Sequence, residues 1–268
     1  MSPVLRRWLL PAAAVIAAGA LAAAVALAGR TEITTYRITV VEGLTVPAML
    51  DRLANQTPFT IEEYSTALLD GSVASDLLPA PPDDLTDWEG LLFPDTYEVT
   101  DQEEPAQILQ RFADTMTERV ESIDWSYVTG RGLRVYDGIV IASMIEREAG
   151  IDSDRPLIAS VIYNRLDIGM RLQIDATVVH ALGGYPPGGL TFDDLEVESP
   201  YNTYAVDGLP PTPIAGVRLA SLRAAADPAE TDFFFYVLAD AAGGHEFTTT
   251  YEEHLAAIER SREAGVLP

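Results

Sequence analysis

The sequence predicts an α+β protein set behind an amino-terminal membrane helix. Three observations lead there. The chain opens on an apolar run of about twenty residues, enough to span a bilayer. Runs rich in β-branched and aromatic residues, Tyr36–Val41 and Asp232–Ala239, read as strands. Between and beyond them, apolar residues recur at the three- and four-residue steps of buried helix faces.

In the opening segment, Arg6 and Arg7 precede the alanine-rich stretch from Trp8 to Ala28, which Arg30 closes. Leading arginines favour a cytoplasmic amino terminus, so residues 1–30 read as a cytoplasmic tip and a single-pass anchor with the rest outside the membrane. A cleaved signal peptide is the alternative, because Ala26-Leu-Ala28 has the small-x-small form of a cleavage site. The 268 residues carry a net charge of −24, and every basic residue is arginine. Such a surface repels nucleic acid and anionic lipid headgroups and argues against either as a partner. There is no cysteine, which excludes disulfides and thiolate chemistry.

Beyond the anchor, Glu42-Gly43 turns the first strand into a helix capped at Thr45 and running through Pro47–Ala54. A second helix follows over Ile61–Leu69, then a stiff Pro79-Ala-Pro-Pro connection and an extended, aromatic Trp88–Val99. A long helix is expected from Pro105 to about Ser122, burying Ile108, Leu109, Phe112, Met116 and Val120. In Ile139–Ala149, Ile141, Met144 and Ile145 share one face, and Glu148 falls in the middle of that apolar stripe. Glu146 points roughly the opposite way. A carboxylate on a core-facing stripe is costly to keep ionised, so burial should raise its pKa and suit it to general acid work. The plainer reading pairs Glu148 with Arg147, Arg155 or Arg165.

The next helix runs from Leu157 to Leu166. Gln173, Asp175 and Thr177 then alternate in Gly169–Thr177 as on a strand edge facing a cleft. Rigid loops come after it, rich in glycine, proline and aromatics, and lead to a short helix over Ser221–Ala226. Asp232–Ala239 is expected as a buried strand, Gly243–Phe247 as the turn into its hairpin partner, and Tyr251 to about Glu263 as the closing helix.

The strand, turn and short helix after residue 31 look like half of a LysM-type module, a fold that grips amino sugars. Further along, Leu92-Phe-Pro-Asp-Thr-Tyr97, Ala142-Ser-Met-Ile-Glu-Arg-Glu148, Asn164-Arg-Leu166, Met170-Arg-Leu-Gln173 with Asp175 and Thr177, Tyr201-Asn-Thr-Tyr204, Gly208-Leu-Pro-Pro211 and Gly244-His-Glu-Phe247 stand in one order. Together they resemble the YceG-like family of membrane-anchored endolytic murein transglycosylases. The resemblance implies a partial LysM-like subdomain over 31–100 and a catalytic domain over 101–268. It makes Glu148, second glutamate of the Glu-Arg-Glu motif, the catalytic residue.

The resemblance also implies a reaction. Glu148 would protonate the leaving oxygen after N-acetylmuramic acid, then take a proton from the sugar's own C6 hydroxyl as it closes a 1,6-anhydro ring. No second carboxylate, metal or cofactor is needed, because the nucleophile belongs to the substrate. Gln173, Asp175, Tyr201 and Asn202 are the candidates for orienting the sugar, and Arg165 for pairing with Asp175 or reaching a substrate carboxylate. Peptidoglycan strands are the expected partner, with cell-wall synthesis proteins nearby. A non-catalytic wall-binding scaffold and a muramidase-type hydrolase are the alternatives. A metal hydrolase has little support from three scattered histidines, with His245 read as structural and His180 and His254 as solvated.

Overall fold

The computed structural model describes residues 33–267. No helix among them is long and apolar enough to cross a membrane, and the expected anchor over residues 8–28 lies outside them. The α+β class holds. Strand β1 (Thr35–Thr39) pairs antiparallel with β2 (Thr96–Thr100), Thr35 opposite Thr100. Two helices stand between them in sequence, α1 (Val46–Ala54) and α2 (Ile61–Leu69).

Each forms for a local reason. Pro47 sits in the first turn of α1, where its missing N–H costs nothing, and Val46, Met49, Leu50 and Leu53 make one buried face. Thr60 and Glu63 close a reciprocal capping box on α2. The expected extended stretch Trp88–Val99 starts where a 3-10 turn, Leu85–Trp88, ends, and it runs into β2. Trp88 is fully buried, its indole N–H donating to the Leu68 carbonyl at 2.8 Å.

Helix α3 (Pro105–Glu121) buries the apolar set its periodicity predicts, and Phe112 stacks on Tyr97 of β2 at 3.9 Å between ring centres. A short turn of helix, α4 (Ser126–Thr129), leads to α5 (Val135–Glu148). From Gly138 to Glu146 every residue of α5 is buried, so it is a central helix wrapped on all sides rather than one with an outer face. Glu146, on the side of the helix opposite Glu148, is therefore buried as well, at 8 % exposed. α6 (Arg155–Asp167) packs alongside α5.

The expected strand over Gly169–Thr177 is not one. Residues 170–174 belong to no strand, and the backbone turns into α7 (Asp175–Ala181). The alternation is real up to Asp175: Arg171, Gln173 and Asp175 are exposed while Leu172 and Ile174 are buried. In place of a partner strand, the Gln173 and Ile174 amides donate to the Thr203 carbonyl and hydroxyl. Thr177, expected at the cleft, is fully buried and bonded to Thr203.

α8 (Leu219–Ala226) packs on α5. The hairpin of β3 (Phe235–Leu238) and β4 (His245–Thr248) and the closing helix α9 (Tyr251–Glu263) complete the chain. β3 is half-buried rather than buried, because it forms a cleft wall.

One contact fixes the hairpin against the end of α5. A Cβ on Gly150 would meet the Gly243 carbonyl oxygen at 2.5 Å and its Cα at 2.8 Å, backbone that has no rotamer through which to yield. Gly150→Ala should therefore destabilise by about 1–3 kcal/mol and pull β3 from Glu148. Thermal melts and activity should fall together; an unchanged melt would show that the hairpin is free to shift.

Candidate active site

Glu148 ends α5 at the floor of a cleft of about 370 Å³. One wall is the segment carrying Gln173 and Asp175, with Tyr204 behind it; the other is β3 with His254 and Tyr251 of α9. The Glu148 side chain keeps some surface toward the cleft, yet protein surrounds it on the remaining sides.

Burial pushes its carboxyl up to about 7, with the nearby Asp175 charge adding to the rise. The Tyr236 hydroxyl, donating to Glu148 Oε2 at 3.0 Å, works the other way, as does the Ala176 amide. Among the described residues no arginine forms a salt bridge with Glu148. Arg155 pairs instead with Glu146 and Asp152, while Arg147 reaches the Gly43 carbonyl at 3.1 Å.

Arg165 lines the cleft as a brace. Its Nε donates to the Phe234 carbonyl at 2.6 Å and its Nη1 to that of Leu172, tying β3 to the Gln173 segment. It forms no salt bridge with Asp175 among the described residues. Asp175 instead accepts from the Tyr204 hydroxyl at 2.6 Å. Gln173 is the single non-glycine described residue in the left-handed region, at φ 48°. That conformation costs roughly 1–2 kcal/mol, and here it is held by the Thr203 bond beside the candidate acid.

The structure thus brings together Glu148, Arg165, Gln173 and Asp175, and leaves Tyr201 and Asn202 outside the cleft. Asn202 is fully buried, its amide donating to the Leu195 and Val197 carbonyls at 2.9 Å each. Tyr201 bonds Thr212 at 2.7 Å and packs on His180. Both shape the loop that presents Tyr204. The residue of that loop that lines the cleft is Tyr204, three positions beyond Tyr201.

Tyr236 was hidden in an apolar strand. The available signal was its hydroxyl, since a tyrosine in a buried strand needs a partner for its polar tip. His245 is structural as expected, its Nδ1 3.0 Å from Asp154 and its ring edge-on to Tyr236. His180 and His254 are half-buried rather than solvated, and burial lowers the pKa of both. No group of three histidine, aspartate or glutamate side chains among the described residues is placed to hold a metal.

The sequence profile of the YceG-like family matches residues 17–260. The chain belongs to the YceG-like family. A YceG-like protein of Listeria monocytogenes, known from its crystal structure, superposes with a TM-score of 0.72 at 31% identity, covering 82% of this chain and 75% of that one. An endolytic murein transglycosylase of Bacillus subtilis is 35% identical over 238 residues, 84% of this chain and 65% of the relative. One of Streptococcus pneumoniae is 29% identical over 170 residues, 62% of this chain and 31% of the relative. This YceG-like chain therefore spans less than two thirds of the length of those two relatives.

Proposed function

We propose that this protein is an endolytic lytic transglycosylase that cuts peptidoglycan strands after N-acetylmuramic acid and leaves a 1,6-anhydro end. The observation that carries the reading is Glu148: a carboxyl with no arginine partner among the described residues, raised to about 7, on the floor of an open cleft. The names of the Bacillus and Streptococcus relatives support it.

With Tyr236 donating to Oε2, Oε1 carries the acidic proton. It passes to the leaving glycosidic oxygen as the bond to C1 breaks. The resulting carboxylate takes the proton of the sugar's C6 hydroxyl while O6 bonds to C1. Atoms and charge balance without water, metal or cofactor. A pKa near neutrality serves both halves of the cycle. Asp175, held by Tyr204, stabilises the oxocarbenium-like carbon. Gln173 and Arg165 fix the sugar's orientation.

Mass spectrometry of glycan digests tests this: anhydro ends within strands should form at undiminished rate in chelator. Mainly reducing ends would indicate a muramidase, for which Asp175, in the same cleft as Glu148, is the available second carboxylate. No new ends at all would indicate a scaffold.

On this reading residues 8–28 anchor the enzyme beside newly made strands and the proteins that synthesise them, and the β1-α1-α2-β2 unit is a LysM-like glycan holder. Full-length protein should then resist carbonate extraction from membranes. A mature chain starting near Gly29 and released to the medium would remove the anchor from this picture.

A further inference from the structure

Strand β3 turns a free edge to the Glu148 cleft. Among the described residues only β4 pairs with it, Leu238 standing opposite His245. The Ala239 amide donates to the Gly244 carbonyl at 2.8 Å, which fixes the phase of the ladder. Antiparallel ladders alternate, so Phe235, Val237 and Ala239 direct their N–H and C=O groups at β4, while Tyr236 and Leu238 direct theirs away from it. The carbonyls on the outer side agree with this phase. That of Phe234 accepts from Arg165 Nε at 2.6 Å and that of Leu238 from the Ser261 hydroxyl, neither of them a β4 group.

The outer side is the cleft side. Phe235, Tyr236, Val237 and Leu238 all line the cleft. Successive side chains of a strand point to opposite faces, so consecutive residues share one hollow only where it runs along the strand's edge. Arg165 lines the same hollow and bridges the Phe234 and Leu172 carbonyls, so the edge looks across to the Gln173 segment. Between Arg165 and Ser261, the Tyr236 N–H and C=O and the Leu238 N–H bond to no described residue. Proteins usually guard such an edge with charge, proline or a bulge. From Phe233 to Ala239 this one has neither charge nor proline.

The pattern of open groups selects the occupant. The Tyr236 N–H and C=O belong to successive peptide units and point the same way. In a single trans amide the N–H and C=O point opposite ways, so the acetamido group of a sugar can meet only one of them. Two amides one residue apart meet both, and an extended chain two residues longer also reaches the Leu238 N–H. We infer that the β3 edge docks an extended peptide by strand addition, and that its occupant is the peptide carried by the muramic sugar at the bond being cut. This rests on the transglycosylase reading, and it gives Tyr236 two tasks. Its hydroxyl donates to Glu148 while its backbone receives the peptide, so docking steadies the residue that holds the acid. Main-chain bonds of this kind accept peptides of varied sequence.

The test uses the full chain carrying Glu148→Gln and two probes: uncrosslinked glycan oligomers with their peptides, and the same oligomers stripped by an amidase. Calorimetry should show the peptide-bearing oligomers binding about tenfold more tightly. Leu238→Pro removes the outward N–H and sets a ring in the path of the entering strand, so it should erase most of that preference; Leu238→Ala should keep it. Proline at an outward edge position removes no ladder bond, so the proline and alanine chains should melt alike, whereas Val237→Pro should melt lower. A Leu238→Pro chain melting as low as Val237→Pro would overturn the free edge. In hydrogen exchange the Tyr236 and Leu238 amides should slow at least tenfold with the peptide-bearing probe alone. Equal affinity for both probes, equal protection by both, or no protection overturns the dock, as does protection that grows with protein concentration and no probe, the mark of a second copy on the edge. Each of those results leaves anhydro-end formation by the unsubstituted enzyme standing. Peptide-dependent protection in an enzyme that makes reducing ends would keep the dock and change the reaction alone.

Discussion

Glu148→Gln should reduce anhydro-end formation by roughly 10²–10⁴-fold, the usual contribution of one positioned acid, and should leave a chain more stable than the parent above neutral pH. The two effects share a cause. The folded-state pKa of Glu148 stands at about 7 against an ordinary 4.5, so between those values the folded state holds the proton more tightly than the unfolded chain. That stability is fully present below about pH 4.5 and is lost as pH rises through 7. Allowing for partial solvent contact, the loss is on the order of 2 kcal/mol by pH 8. Glutamine cannot ionise, so the variant avoids it: melts should coincide near pH 4 and separate in the variant's favour at pH 8. Tyr236→Phe removes the hydrogen bond that holds the Glu148 pKa down, so the alkaline limb of its pH–rate profile should shift upward. An inactive Glu148→Gln chain that melts lower at pH 8 would mean the carboxylate is structural.

Much of this architecture is legible in the sequence, and the exceptions have physical causes. Ile61–Leu69, Tyr251–Glu263 and Pro105–Glu121 are helices over the expected residues, and in Pro105–Glu121 the apolar spacing marks the buried face. α5 carries a weaker signal, being buried all round, so the sides holding Glu146 and Glu148 differ in what they touch rather than in polarity. The period-two pattern through Gln173 and Asp175 records real alternating exposure, but Thr203 supplies the partners a neighbouring strand would have given, and the helix starts at Asp175. In the Tyr201–Tyr204 loop, the motif identifies the segment but not which way it turns. Asn202 spends its amide on the loop's own carbonyls and thereby aims Tyr204 at Asp175. That choice depends on long-range packing that no local window contains.

Glu146→Gln should prove the mirror image of Glu148→Gln: little change in turnover per folded molecule, and a large loss of stability. Both glutamates belong to one motif, yet Glu146 sits inside a dense ionic cluster. Its Oε1 accepts from Arg218 Nε at 2.8 Å; its Oε2 accepts from the Ser221 hydroxyl at 2.9 Å and the Arg218 amide at 3.1 Å, and lies 3.6 Å from Arg155. Arg155, with its side chain only 4 % exposed, also bonds Ser221 at 2.6 Å and Asp152 at 2.9 Å. Ser221 is on α8, and Arg218 directly precedes that helix, so the cluster fastens α8 to the central helix from the side away from the cleft. Removing one partner of a buried pair leaves the other charge uncompensated, at a cost of about 3–5 kcal/mol. Asp152 remains to meet part of Arg155's need, and the glutamine amide keeps part of the hydrogen bonding, so about 2–4 kcal/mol is expected. Urea melts should show a lower midpoint with an unchanged slope. At low temperature, where the variant stays folded, anhydro-end formation should remain within a few-fold of the parent. A variant with unaltered melts and no activity would move the catalytic assignment from Glu148 to Glu146.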